Sequence, residues 1–184
     1  MRIIAGQFRG RKLASVKTAA IRPTSDRVRE ALFNILGRKP IGSAVLDLFC
    51  GTGALGLESL SRGARTSVFV DNDEHSLAVL RRNISRCKVA SYTRVIRWDI
   101  INNLSCLNRD DQCFDLVFLD PPYGLGVIQN TLINLIRQDV LLPEALVVAE
   151  HPSKDTIDLT GTGLHSVDHR SYGSSALSFL SMGP

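Results

Sequence analysis

The run Val45-Leu46-Asp47-Leu48-Phe49 breaks into Cys50-Gly51-Thr52-Gly53-Ala54-Leu55-Gly56 and then continues with helical spacing. A strand that enters a helix through a glycine turn is the opening unit of an α/β sheet. Glycine lets the backbone turn tightly and lets a ligand approach it closely. The ligands of such sheets sit at the carboxyl ends of the strands. The rest of the chain keeps the alternation. Strands are expected at Ala44–Phe49, Thr66–Val70, Arg94–Trp98, Phe114–Leu119 and Ala145–Glu150. Helices are expected at Ala54–Arg62, Asp73–Cys87 and Val127–Gln138, each with apolar residues at helical spacing. The tail, Leu164–Tyr172 and Ala176–Leu180, reads as a hairpin turning at Gly173-Ser174. The expected fold is an α/β, doubly wound, mostly parallel seven-stranded sheet with an antiparallel C-terminal hairpin.

Ahead of this body lies a different kind of sequence. Arg2–Leu13 is poor in apolar residues and punctuated by Gly6 and Gly10, which suggests a small hairpin with Arg9, Arg11 and Lys12 near its turn. Pro23-Thr24-Ser25-Asp26 then opens a helix, with Thr24 or Ser25 as cap. Val28, Ala31, Leu32, Ile35 and Leu36 supply its apolar face, and Gly37 stops it. Pro40 and Gly42 mark a boundary, dividing the chain into a basic segment, 1–40, and a body, 41–184. Residues 1–40 hold ten Lys/Arg against two acids, while residues 41–184 hold twelve against sixteen. A basic arm on a mildly acidic body points to a polyanionic partner, above all nucleic acid.

Composition removes several classes. At roughly 150 residues per domain, 184 residues make one domain. The longest apolar runs fall far short of the ~20 residues of a membrane helix. The N-terminus lacks the apolar stretch of a signal peptide. A cytoplasmic protein with no membrane partner is expected, and a monomer. Cys50, Cys87, Cys106 and Cys113 form no C-x-x-C pair and no zinc spacing, so no metal is expected and the thiols should be reduced.

Three acids stand near the ends of consecutive strands. Asp47 lies inside the first, Asp71 ends the second and Asp99 ends the third. The pattern Gly51-x-Gly53-x-x-Gly56 also fits a dinucleotide site, but an acid guarding the turn suits a ligand with a positive end instead. Asp71 can accept both hydroxyls of a ribose, and Asp99 an adenine amine. S-adenosylmethionine (SAM), with its ammonium, sulfonium, ribose and adenine, would engage all three. After the fourth strand comes Asp120-Pro121-Pro122-Tyr123. The prolines stiffen the backbone and lack an N–H, leaving carbonyls as acceptors. Asp120 and the Pro121 carbonyl can each accept one hydrogen of an exocyclic amine, and Tyr123 offers a face for a planar base. An NAD(P)-dependent oxidoreductase would leave both Asp47 and this motif unexplained.

Asp47–Gly56 together with Asp120–Tyr123 resembles the SAM-dependent methyltransferases that modify exocyclic amines of nucleobases. The wider chain resembles the bacterial 16S ribosomal RNA guanine-N2 methyltransferases. That resemblance rests on Arg2–Gly6, Arg22–Leu36, Ala54–Glu58, Phe69–Asn72, Phe114–Tyr123, Tyr172-Gly173 and Leu177–Phe179. It implies a Rossmann-like methyltransferase sheet and a substrate guanine in small-subunit ribosomal RNA, as naked RNA or within the assembled subunit. It also implies cofactor contacts from Thr24, Asp47, Phe49, Gly51, Thr52, Gly53, Asp71, Asn72, Asp99 and Asp120. The reacting amine falls to Asp120, Pro121, Pro122 and Tyr123, and RNA to Arg2, Arg9, Arg11, Lys12 and Arg22. Thr24 and the Arg22–Arg27 segment would close over the methionine end of the cofactor. Cys50 is a departure, since alanine is expected there. Two readings stay open beside guanine N2: N6 of adenine in RNA or DNA, and a non-catalytic RNA-binding assembly factor.

Overall fold

A computed structural model describes residues 1–16, 26–108, 112–122 and 125–182 of the chain. In chain order its elements are α1 (Asp26–Leu36), β1 (Ala44–Leu48), α2 (Ala54–Ser61), β2 (Thr66–Asp71), α3 (Glu74–Cys87), β3 (Thr93–Arg97), β4 (Phe114–Leu119), α4 (Leu125–Arg137), β5 (Leu141–Pro152), β6 (Leu164–Tyr172) and β7 (Ser175–Met182). The seven strands form one sheet in the order β3-β2-β1-β4-β5-β7-β6. Pairings from β3 to β5 are parallel, and β7 joins β5 and β6 antiparallel. The order in which strands are added across the sheet reverses at β1, which pairs with β2 on one side and β4 on the other. Ligands bind outside such a switch point.

Every expected strand is present, with shifts at the ends. β1 stops at Leu48, because Phe49 turns to a φ of 58°. β5 begins four residues before the expected Ala145, at Leu141. Pro143-Glu144 reads as a turn, and Glu144 does have a φ of 60°. The pairing absorbs it through a register shift between Phe114 and Leu116 of β4. A bulge of this kind keeps an irregular strand within its sheet.

Apolar side chains cover both faces of the sheet. On one, Leu46, Leu48, Val117 and Val147 pack against Ile128, Leu132 and Leu135 of α4. On the other, α1 packs over Val45, Leu116, Phe118 and Phe179. There too, α2 and α3 pack over Phe69 through Leu57, Leu60, Leu77 and Leu80. Ile3 and Leu13 belong to this last cluster. Ile3 is only 1% exposed, and burying such a side chain contributes about 1.5–3 kcal/mol. The boundary at residue 40 is therefore one of charge. In packing, the described residues among the first forty, such as Ile3, Leu13, Leu32 and Phe33, share the cores of the body.

Among the described residues no helix is long and apolar enough to cross a membrane, and no group of His, Cys, Asp or Glu could hold a metal ion. The four cysteines are free. Burial pushes the Cys50 thiol well up, and Asp47 and Asp71 push it further; a thiol held protonated is a poor nucleophile.

Candidate functional site

Three residues with positive φ make the turn after β1: Phe49 at 58°, Gly51 at 51° and Gly53 at 81°. Gly53 sits at the N-terminus of α2, where a Cβ would lie 2.3 Å from Leu80 Cδ1. Gly56 has ordinary dihedrals, but its Cβ would stand 2.3 Å from the Phe69 ring. Its role is to let α2 lie close on β2. At Gly51 a Cβ would meet nothing within 4 Å, so the loop presents open space there.

The loop holds its own polar groups. Gly53 N donates to Cys50 O (2.8 Å), and Cys50 N to Val70 O (3.1 Å). Gly51 N donates to Asp71 Oδ2 (2.8 Å) and Gly56 N to Asp47 Oδ2 (2.9 Å). Asn83 of α3 donates to Thr52 O (3.1 Å). Asp47 thus differs from expectation. It was expected to face a cationic ligand, but it is 2% exposed and binds the first turn of α2 instead. Burial raises its pKa well above the usual carboxylate range, and Asp120 and Asp71 raise it further. Its influence on a ligand would be through the field of the site, not by a hydrogen bond across open crevice.

Asp71 ends β2 half-exposed. Its Oδ1 accepts from Asp73 N (2.9 Å) and its Oδ2 from Gly51 N. Each carboxylate oxygen has a second lone pair, so both can still accept a hydroxyl. Asp99 lies two residues beyond β3 and is exposed. It accepts from Ile101 N (3.2 Å) and Asn102 Nδ2 (2.8 Å), an arrangement that shapes its own turn. Trp98 N donates to Asp71 O (2.9 Å) and brings this segment beside Asp71. Asn72 is exposed, and Thr52 and Phe49 are half-buried on the loop.

The fourth strand arrives next to the first, with Leu119 paired to Leu48. Asp120 therefore emerges beside Phe49, at the same end of the sheet as the glycine loop. It is half-buried, as is Pro121, while Pro122 is exposed. Asp71 and Asp120 are each close enough to act electrostatically on Asp47. That convergence gives the crevice a negative character suited to a cation. Tyr123, Thr24 and Arg22 lie outside the described residues.

The N-terminal hairpin is clamped by polar groups that sequence reasoning missed. Glu58 of α2, fully buried, accepts from Ile4 N (2.8 Å), Ala5 N (3.0 Å) and Arg62 Nε (2.8 Å). Ser61 Oγ accepts from Phe8 N and donates to Ala5 O. Asn83 exchanges two bonds with Ala14 while also holding Thr52 O, so hairpin and glycine loop share one anchor. Arg29 of α1, also fully buried, donates to Arg2 O and to Asp26. Polar residues on otherwise apolar helix faces were the available signal. Arg2, Arg9 and Lys12 are exposed. Arg11 is committed: its Nη1 donates to Arg86 O (2.7 Å) and its guanidinium lies 5.2 Å from the centre of the Phe8 ring.

The chain resembles known proteins over most of its length. The family described as Conserved hypothetical protein 95 matches residues 1–181. Ribosomal RNA small subunit methyltransferase D of Escherichia coli (strain K12) is 39% identical over 150 residues, covering 82% of this chain and 74% of that protein. The protein of the same name from Haemophilus influenzae is 38% identical over 151 residues, covering 82% of this chain and 78% of its own. Among solved structures, a hypothetical protein from Thermus thermophilus matches with a TM-score of 0.82 at 29% identity, and the match covers 99% of each chain.

Proposed function

The chain belongs to the Conserved hypothetical protein 95 family, and from that premise we propose that it is a SAM-dependent methyltransferase of small-subunit ribosomal RNA, acting on the exocyclic N2 of a guanine. The observation that carries this reading is the pairing of β1 with β4, which sets the glycine loop and Asp120-Pro121 side by side at the switch point. The donor set fits the cofactor. Asp71 would take the ribose hydroxyls, Asp99 the adenine amine, and the field of Asp47, Asp71 and Asp120 favours a positive ligand. Relatives named as small-subunit RNA methyltransferases support the choice of substrate.

When bound, the cofactor supplies an electrophilic methyl carbon on a cationic sulfur. The protein's part is largely placement. The guanine amine is a weak nucleophile, because its lone pair is delocalised into the ring. Asp120 and the Pro121 carbonyl accept its two hydrogens and direct the lone pair toward the methyl group. With the cofactor bound, its methyl group would pass to the amine nitrogen, and Asp120 would receive the proton that the nitrogen then loses. Holding both partners at attack distance supplies several kcal/mol through effective molarity alone. Since the base must leave its stack to reach Asp120, it is bound flipped out.

The test is transfer of labelled methyl from SAM to small-subunit RNA by the purified chain, followed by mass spectrometry of the nucleosides. N2-methylguanosine is expected. N6-methyladenosine would move the reaction to the other amine, and no label in RNA would overturn the reading.

A further inference from the structure

We propose that the C-terminal half of α3 and the docked N-terminal hairpin form one RNA-binding face, which holds the substrate's phosphate backbone far from the target base. This rests on the RNA reading above and extends it to residues that no motif marks. α3 carries Arg81, Arg82, Arg86 and Lys88 within its last two turns and C-cap, all exposed. Arg81 is paired with Glu74. Among the described residues, Arg82, Arg86, Lys88, Arg9 and Lys12 make no ion pair.

Docking is what unites the two segments. Arg11 Nη1 reaches Arg86 O, and Asn83 holds Ala14 one turn earlier on α3. The hairpin's cations are thereby fixed beside those of the helix. Crowding like charges on one rigid surface costs free energy through self-repulsion, which a polyanion offsets. Beside the helix end a groove of about 640 Å³, lined by Ser85, Lys88, Ser91, Thr93 and Val95, continues the face to the edge strand β3. The lining also includes Arg81, Ile84 and Ala90, so cations border a largely apolar surface there.

Position then constrains the substrate. β3 lies three strand spacings from β4, about 14 Å. Arg86 stands twelve residues along α3 from Glu74, about 18 Å down the helix from the crevice. The substrate has to cover the crevice and this flank together, which calls for a folded RNA or a subunit particle.

The experiment is filter binding of the full chain to a small-subunit RNA transcript across a salt series. Arg82→Gln with Arg86→Gln should flatten the slope of log K against log salt by about 1.4–1.8, the share of two phosphate contacts. Arg9→Gln with Lys12→Gln should do the same, and the four together should sum. A control pair, Arg38→Gln just beyond α1 with Arg137→Gln at the end of α4, removes equal charge elsewhere and should leave the slope unchanged. SAM binding by calorimetry should match wild type in the α3 variant. Parallel lines for the α3 variant, or equal flattening by the control pair, would overturn the face. A wild-type chain that methylates the transcript while the α3 variant gives parallel lines loses the face and keeps the enzyme. One that binds with the expected slopes but transfers no methyl group keeps the face and loses the enzyme.

Discussion

The two walls of the crevice are stiffened by different means. On the glycine-loop side, hydrogen bonds do it: Gly51 N to Asp71, Gly56 N to Asp47, and Asn83 Nδ2 to Thr52 O. On the Asp120 side, covalent geometry does it, through two consecutive prolines with φ held near −65°. The first wall is made of residues that depend on one another, and a change in one alters fold and ligand affinity together. On the second, backbone stiffness comes from the proline rings and chemistry from the carboxylate beside them. Chemistry and architecture draw on different residues on one wall and on the same residues on the other.

The largest expected effect tests the Asp120 wall. Asp120→Ala should lower turnover more than 100-fold, about 2.7 kcal/mol of barrier, with SAM affinity within about twofold of wild type. Single-turnover methylation beside calorimetry reads both. If affinity fell along with turnover, Asp120 would belong to the cofactor wall.

Asp71→Ala tests the glycine-loop wall. It removes the expected ribose acceptor and the partner of Gly51 N together. SAM affinity should fall by about 1.5–3 kcal/mol, the cost of losing charge-assisted hydrogen bonds. Calorimetry gives the affinity and thermal unfolding gives the stability. Affinity at the wild-type level would sink the ribose assignment.

Gly56→Ala separates packing from turning, because Gly56 needs space and not a special φ. Overpacking against Phe69 should cost about 1–3 kcal/mol, or about 2–4 °C of Tm per kcal/mol in a domain of this size. An unchanged Tm would show that α2 can move off β2 freely.

The smallest effect has opposite signs in its two readouts. Asp47 carries a pKa raised by burial, so the folded chain binds its proton more tightly than the unfolded chain does. Stability therefore declines as pH rises from the ordinary carboxylate range toward the raised value, and the full cost is present above it. Asp47→Asn keeps an acceptor for Gly56 N and removes that cost. Its Tm should match wild type at low pH and exceed it by a few degrees at neutral pH. SAM affinity should fall at pH above the raised value, where a cation loses a buried negative charge. If both quantities fell at neutral pH, the carboxylate would be required for the loop itself.

What the sequence made legible follows from range. The strand–helix alternation, the switch point and the positions of Asp71 and Asp120 are set by local periodicity and by motifs within ten residues. The first half of β5 was hidden, since Pro143-Glu144 carries turn chemistry that a bulge accommodates. The burial of Asp47 was hidden because its acceptor role depends on how α2 folds back over β1. Glu58, Arg29 and Asn83 were missed because their partners lie 27 to 69 residues away. No local pattern distinguishes a buried clamp from a solvated polar residue.

The distance between clamp and hairpin also has a consequence in time. Ile4 is 54 residues from the Glu58 carboxylate that holds it, and Ala14 is 69 from Asn83. At about 5–20 residues per second, a growing chain needs roughly 3–14 s to make those partners after the hairpin itself is made. The hairpin residues must therefore wait, strongly cationic, until α2 and α3 exist to receive them. Closing so long a loop is entropically slow, and docking should belong to the late phase of folding. A chain shortened by its first fourteen residues would leave Glu58 buried with Arg62 alone. The hairpin, made before its partners, is thus among the last segments to find its place.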